Sequence, residues 1–350
     1  TSGNSADLRG GILRITPHPD GSYSIPVGNL FDDDVSRKET YIKGCRNPFR
    51  ISIDRRNDTL YWGEVGPDAR KDTARGPRGY DEVNRATEAG FYGWPFFVAD
   101  NKPYKLWDFK ANKEIRTFKV RPGNPSKFNT GLKQLPAARK AFLHYPYDQD
   151  VTFGQGPRNA MAGPVSYKDA SQGKLPDYLD NSLVIYDWMR GFLKFVKMDQ
   201  EGRILTYFQS SESFIHPIAV KQGEDGFLYV LEYGKKWTEN RDGRILKLKF
   251  DEHAPSNDTS SKDPVLALMQ AKQCMACHLL DQQSVGPAFG EIARKYRSPS
   301  GQEQSRTRTT LRNKIKDGGV GVWGEVPMPP QPHVNDDEAN RILDYILELK

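Results

Sequence analysis

Short runs of apolar or alternating residues recur through the first 250 positions, parted by Gly, Pro and Asp-Gly turns. They are Gly11–Ile15, Ile51–Asp54, Leu60–Val65, Ser182–Asp187, Phe192–Met198, Ile204–Phe208, Phe227–Tyr233 and Ile245–Phe250. Their length and their β-branched and aromatic content predict strands. One phrase repeats. Leu60-Tyr61-Trp62-Gly63-Glu64-Val65-Gly66 reads against Leu228-Tyr229-Val230-Leu231-Glu232-Tyr233-Gly234, and Ser182-Leu183-Val184-Ile185-Tyr186-Asp187 is a weaker third copy. Repeated units at this spacing predict the four-stranded blades of a propeller. No long helical period precedes residue 251.

The pattern then changes. Residues 251–262 hold Pro, Ser, Asn, Asp and Thr with almost no large apolar side chain, and predict a linker between a β domain at 1–250 and a helical domain at 263–350. Asp263 is the predicted N-cap of a helix with Pro264 in its first position, running on through Val265-Leu266-Ala267-Leu268-Met269. Near the end of the sequence, Asn335 and Glu338 form a capping box, with Asp336 and Asp337 suited to the helix dipole. Ala339, Ile342, Leu343, Ile346 and Leu347 follow at helical spacing, a stripe expected to pack on the helix at the start of the domain. Polar Tyr296–Thr310, with Pro299 and Gly301, reads as a surface loop.

Composition excludes more than it proposes. Lys and Arg number 51 against 45 Asp and Glu, a net charge of +6, but the two signs are interspersed, which argues against a nucleic-acid binder. No apolar run has the length of a membrane span, and the first residues do not form a signal peptide.

The chemistry concentrates in Cys274-Met275-Ala276-Cys277-His278, a Cys-x-x-Cys-His run that reads as a covalent attachment site for one c-type haem. On a helix, Cys274, Cys277 and His278 share a face, so two thiols reach the porphyrin while the imidazole meets iron. A zinc site would need distant histidines, since the only other cysteine is Cys45. Pro327 and Pro329 flank Met328, hold it in an extended path and present its thioether as the sixth ligand, with His333 as the competitor. His/Met ligation favours an electron-transfer haem.

Together with Val285-Gly286-Pro287, Ile315-Lys316-Asp317-Gly318-Gly319, Gly321-Val322-Trp323-Gly324 and Val326-Pro327-Met328-Pro329-Pro330, this motif resembles the small bacterial class I cytochromes c of denitrifying respiration. The resemblance implies that the Pro287 carbonyl accepts the proximal imidazole N–H. It also implies that Trp323 borders one haem propionate and that Lys314, where the family has Arg, borders the other. Further motifs in the first domain are Gly44-Cys45-Arg46-Asn47-Pro48, Gly63-Glu64-Val65-Gly66-Pro67, Tyr80-Asp81-Glu82-Val83-Asn84 and Tyr92-Gly93-Trp94-Pro95. In that order they resemble the soluble glucose/sorbosone dehydrogenases, six-bladed propellers that use pyrroloquinoline quinone (PQQ) and calcium. By that resemblance Arg46 and Asn47 face the quinone, with Arg46 a cation over a quinone oxygen. The Gly66 and Pro67 carbonyls bind its calcium, Glu82 and Tyr92 lie at a structural calcium, and His216 occupies a cofactor position and is a candidate catalytic residue.

The chain departs from that family in places. Met189 stands where a quinone-binding Lys is expected, and Phe214 and His216 where two arginines are expected. Thr1-Ser2-Gly3-Asn4 corresponds to the middle of a family member, and a closed ring needs on the order of 300 residues. An incomplete ring is therefore expected, its remaining blades supplied by a separate fragment or another chain, because bare strand edges are normally covered. His18 reads as a hairpin residue, His144 as a structural strand histidine, Cys45 as a buried thiol and Asp32-Asp33-Asp34 as a solvated turn. The fold class expected is an incomplete all-β propeller followed by an all-α cytochrome c. The function expected is a periplasmic or extracellular PQQ-dependent sugar or alcohol dehydrogenase that reduces its own haem, with a redox protein or respiratory acceptor as partner. The rival is an electron-transfer or assembly subunit whose propeller is a non-catalytic platform.

Overall fold

A computed structural model describes residues 2–349 apart from 149, 151, 173, 211, 251–264, 266, 267, 270, 271, 273, 275–277, 279, 281–285, 298–300, 325–327, 332 and 333. The chain forms two compact units, Thr1–Glu252 and His253–Lys350. The 251–262 linker, the Asp263–Pro264 cap, Cys277, Val285, Val326, Pro327 and His333 lie outside the described residues.

The first unit is built from antiparallel meanders. One sheet orders Leu143–Pro146, Tyr80–Ala86, Thr59–Glu64 and Pro48–Asp54; the next orders Ala160–Ser166, Ser182–Asp187, Leu193–Met198 and Ile204–Gln209; a third orders Pro217–Gln222, Leu228–Glu232 and Arg244–Leu248. These are neighbouring propeller blades, since the Ala160–Ser166 strand packs on Pro48–Asp54 and Thr59–Glu64 on one side and on Pro217–Gln222 on the other. A smaller sheet joins Gly11–Leu13, Thr40–Lys43 and Gly90–Phe91 beside the first blade.

The middle blade shows why Ser182–Asp187 reads as an unbroken apolar run. Successive side chains of a strand face opposite ways. Leu183 and Ile185 enter a core shared with Tyr61, Val83, Leu143 and Tyr145 of the preceding blade. Val184 and Tyr186 enter another shared with Val220, Leu228 and Val230 of the following one. Both faces are buried, so alternation vanishes. The blades touch closely enough that a Cβ on Gly63 would lie 2.0 Å from the Ala160 carbonyl oxygen. Outer positions are different: Ile51 and Ile53 of the first blade are 53% and 57% exposed, and Ile245, on the edge strand of the third, is 70% exposed.

The second unit is helical. Val265, Leu268 and Met269 have helical backbone, and Met269 packs with Phe289, Val334, Ala339, Ile342 and Ile346 in one core. Helix Asp336–Glu348 opens with a reciprocal capping box: Asn335 Oδ1 accepts from the Glu338 amide at 2.9 Å and Glu338 Oε2 from the Asn335 amide at 3.0 Å. The polar stretch 296–310 is not a loop throughout, for helix Gln302–Asp317 follows helix Phe289–Tyr296. Pro299 and Gly301 both precede its start, Glu303 sits in its first turn, and Lys314 and Lys316 sit in its last, matching the dipole. Leu311 and Ile315 are the helix's only aliphatic side chains, too few for an amphipathic stripe to be read.

Candidate functional site

In the helical unit the Cys274 carbonyl accepts the His278 amide at 3.1 Å, the turn that brings thiol and imidazole to one side. His278 is 9% exposed, and its Nδ1 lies 2.8 Å from the Pro287 carbonyl oxygen. A carbonyl can only accept, so Nδ1 carries the proton and Nε2 keeps the lone pair that iron requires. Phe289 stacks against the ring at 5.0 Å, and Gly286 clears its edge: a Cβ there would stand 2.4 Å from His278 Cε1. Half-buried Met328 is held by paired backbone bonds with Gly319, at 2.9 and 3.0 Å. Lys295 Nζ lies 4.5 Å over the Trp323 ring, and Lys314 approaches Gly319. The Cys274 thiol, an imidazole with a committed Nδ1 and a backbone-anchored thioether fit haem c.

In the propeller unit the register pairs Pro48 with Glu64, Ala160 with Asp187 and Pro217 with Glu232, so Arg46, Asn47, Gly66, Pro67, Met189, Phe214 and His216 share one end of the blades. The acids that close the repeated phrase hold this end together. Glu64 Oε1 accepts the Arg46 and Asn47 amides, both at 2.5 Å. Asp187 accepts the amides of Asn159, Met189 and Arg190 and the Tyr145 hydroxyl. Glu232 Oε1 accepts the Ile215 amide at 2.7 Å. Each carboxylate clamps the loop leading into its own blade. Burial pushes Glu64 up to about 7 against the pull of those amides.

One edge of this end carries groups that PQQ and calcium would require. Arg46 is exposed, with Nη1 donating to the Val65 carbonyl at 2.9 Å, and Asn47 stands beside it. Gly66 N donates to Asp81, whose carboxyl is pushed up to about 7 by burial, opposed by Arg158 at 2.9 Å. Arg158 also donates to the Pro67 carbonyl at 2.9 Å, so that oxygen is already engaged by a cation. The other edge does not fit a carboxylate-bearing quinone: Phe214 is 5% exposed in the core, Met189 offers no charge, and the His216 ring is stacked on Trp188. An Arg fork grips carboxylate bidentately, and neither Met nor Phe can.

Glu82 is buried and accepts from the Ala99 amide and the Asn84 side chain, while Asn84 Oδ1 is buried with no partner among the described residues, an oxygen pair suited to calcium. Burial, with Glu64 nearby, pushes Glu82 up to about 8. The Tyr92 hydroxyl donates to the Arg85 carbonyl. Elsewhere His144, its pKa lowered by burial, lies edge-on to Tyr80, and Cys45 is buried with its thiol pushed up by desolvation. Sequence reasoning missed Trp188, Trp237 and Arg158 at the shared end. Trp188 follows the repeated strand phrase directly, which was the one available signal.

Similarity to known proteins follows the same division. A family model described as Glucose / Sorbosone dehydrogenase matches residues 1–119, and one described as Cytochrome c matches residues 266–350. Cytochrome c-552 of Hydrogenobacter thermophilus is 47% identical over 83 residues, 24% of this chain and 79% of that protein. Cytochrome c-551 of Pseudomonas aeruginosa is 40% identical over 90 residues, 26% of this chain and 80% of that protein. A putative glucose dehydrogenase from Thermus thermophilus, of known structure, is 22% identical with a TM-score of 0.44, over 70% of this chain and 57% of that one.

Proposed function

Because this chain belongs to the cytochrome c family through residues 266–350, we propose that it is a haem c electron-transfer protein whose propeller oxidises a sugar or alcohol and feeds the electrons to its own cytochrome. The observation that carries the reading is the imidazole of His278, fixed by Pro287 with Nε2 left as a ligand, in a chain that also matches a sugar dehydrogenase family. Haem c, when bound, supplies a one-electron couple. His278 and Met328 would ligate its iron, Cys274 and Cys277 would attach it, and Lys314 and Trp323 would border it. In the propeller, Arg46 offers charge and Asn47 a side-chain amide; with the Gly66 carbonyl they are the residues that would hold PQQ and its calcium, while the Pro67 carbonyl would first have to give up Arg158. His216, with Nδ1 at the Gly234 carbonyl, keeps Nε2 as a proton acceptor at the same end. Haem attachment through Cys-x-x-Cys-His accords with a periplasmic or extracellular place, where a redox protein takes the electrons onward. Among the described residues no helix is long and apolar enough to cross a membrane.

Met189 and Phe214 favour a second reading, a propeller that docks a partner without oxidising anything itself. Anaerobic haem reduction separates the two. Ferrous bands that grow when sugar or alcohol, PQQ and calcium are added support the first reading. Reduction only by a reduced partner protein supports the second, and protein without covalent haem would refute both.

A further inference from the structure

Charge is not spread evenly over the first unit. Residues 102–140 hold eleven lysines and arginines against two acids, Asp108 and Glu114, an excess of nine in a chain whose whole net charge is +6. The segment includes a two-stranded hairpin, Lys105–Asp108 paired with Lys113–Thr117. Its root is tied to the loop before strand Tyr80–Ala86, where the Lys105 amide donates to the Arg75 carbonyl at 3.0 Å. The second strand is exposed at every position. Both acids are taken up within the hairpin. Asp108 Oδ1 accepts the Lys110 and Ala111 amides, each at 2.9 Å, and so shapes the turn. Glu114 pairs with Lys105 at 2.7 Å and accepts the Thr117 hydroxyl at 2.7 Å. Lys110 and Lys113 form no ion pair among the described residues.

Large apolar side chains stand among these cations. Phe109, in the turn, is 74% exposed. Ile115, the unpaired residue of a bulge between Glu114 opposite Trp107 and Arg116 opposite Leu106, is 57% exposed. The Arg75 guanidinium lies 5.1 Å from the centre of the Phe109 ring and adds a further cation there. Later in the segment Phe128 is 76% exposed, with Lys127 Nζ 5.0 Å over its ring. Lysines alone on an exposed strand would be ordinary protection against pairing with another edge. The same protection argues for removing Phe and Ile from such a strand, so it leaves Phe109 and Ile115 unexplained.

We propose that this hairpin binds the surface of an anionic lipid bilayer, with Phe109 entering the interface and Lys110, Lys113 and Arg75 meeting the headgroups. An anionic leaflet attracts basic side chains close to it. A lysine stem can lie along apolar surface while its ammonium stays among the headgroups. The charge by itself would suit an acidic protein equally well. The choice of lipid rests on a large ring exposed in the turn and flanked by unpaired lysines, the apolar-and-basic pairing of an interfacial anchor. Attachment of this kind is peripheral and needs no spanning helix.

Sedimentation of the full haem-loaded protein with lipid vesicles is the test. Protein should pellet with phosphatidylcholine vesicles containing about one-third phosphatidylglycerol and stay in solution with phosphatidylcholine alone, and about 0.5 M salt should release it. Lys110→Ala combined with Lys113→Ala should weaken binding about tenfold or more, and Phe109→Ser about threefold or more. Lys235→Ala combined with Lys236→Ala removes the same charge from an exposed stretch after Leu228–Glu232 and should change binding less than about twofold. The haem spectrum and thermal unfolding of each variant establish that it is folded. No binding to the anionic vesicles, or equal losses in the hairpin pair and the control pair, overturns the proposal. Binding that ignores Phe109→Ser, with soluble polyglutamate held as tightly, assigns the surface to an acidic protein and overturns it too. The readout is attachment and not turnover, so its failure leaves the electron-feeding reading untouched.

Discussion

One methyl group at residue 286 is enough to displace the proximal imidazole. In Gly286→Ala the added carbon would fall 2.4 Å from His278 Cε1, and the ring would have to leave the Pro287 carbonyl. The expected result is protein with less low-spin haem, read from the absorption spectrum and the haem-to-protein ratio; an unchanged spectrum at full haem content would contradict this geometry. Met328→Ala should lower the reduction potential and remove the thioether-to-iron band at the red end of the ferric spectrum, because the axial thioether raises the potential of His/Met haems. If redox titration shows no fall, another group is the sixth ligand. The candidate haem residues were legible in sequence because Cys274, His278, Gly286 and Pro287 lie within one short stretch. Trp188, His216 and Trp237 were not, since only the adjacency of two blades brings them together.

Among elements, the repeated phrase owes its terminal acid to a structural task. Asp187 is fully buried and shares its two oxygens among three backbone amides and a hydroxyl. In Asp187→Asn one oxygen becomes an NH2 that faces donors, leaving buried amides unpaired at a cost of about 1–3 kcal/mol. Thermal unfolding followed by circular dichroism should show the first unit melting earlier while the haem spectrum stays as it was, and an unaltered melting temperature would deny the clamp. The same carboxylates explain which strands sequence reasoning could find. Ser182–Asp187 announced itself by apolar residues on both faces. Tyr80–Ala86 did not, because Asp81, Glu82 and Asn84 are buried in a strand that reads as polar. Helix Gln302–Asp317 escaped for the opposite reason, being polar nearly all round.

At the scale of the whole molecule, the acids displaced upward among the described residues lie in one unit. Folded Glu64 and Asp81 titrate at about 7 and Glu82 at about 8, against ordinary values of 4.5, 3.8 and 4.5, and burial is the leading cause for each. A carboxyl whose folded pKa is raised binds its proton more tightly folded than unfolded. Its contribution is complete below the unfolded value and is lost as pH rises through the folded one. With chelator present to remove bound calcium, the propeller should therefore melt at a lower temperature near about pH 8 than near about pH 5.5. Haem absorbance should report a smaller shift for the second unit, where no described carboxyl is raised in this way. A propeller transition that holds steady or rises over that range would reverse the sign. The clamps have one more consequence. Each blade secures its own end loop through an acid in its second strand and backbone amides in the loop, so the fold makes little demand on the side chains that loop displays. Selection can then change an exposed side chain such as Met189 without disturbing the frame, which lets one scaffold be re-equipped for a different ligand by substitutions at its rim.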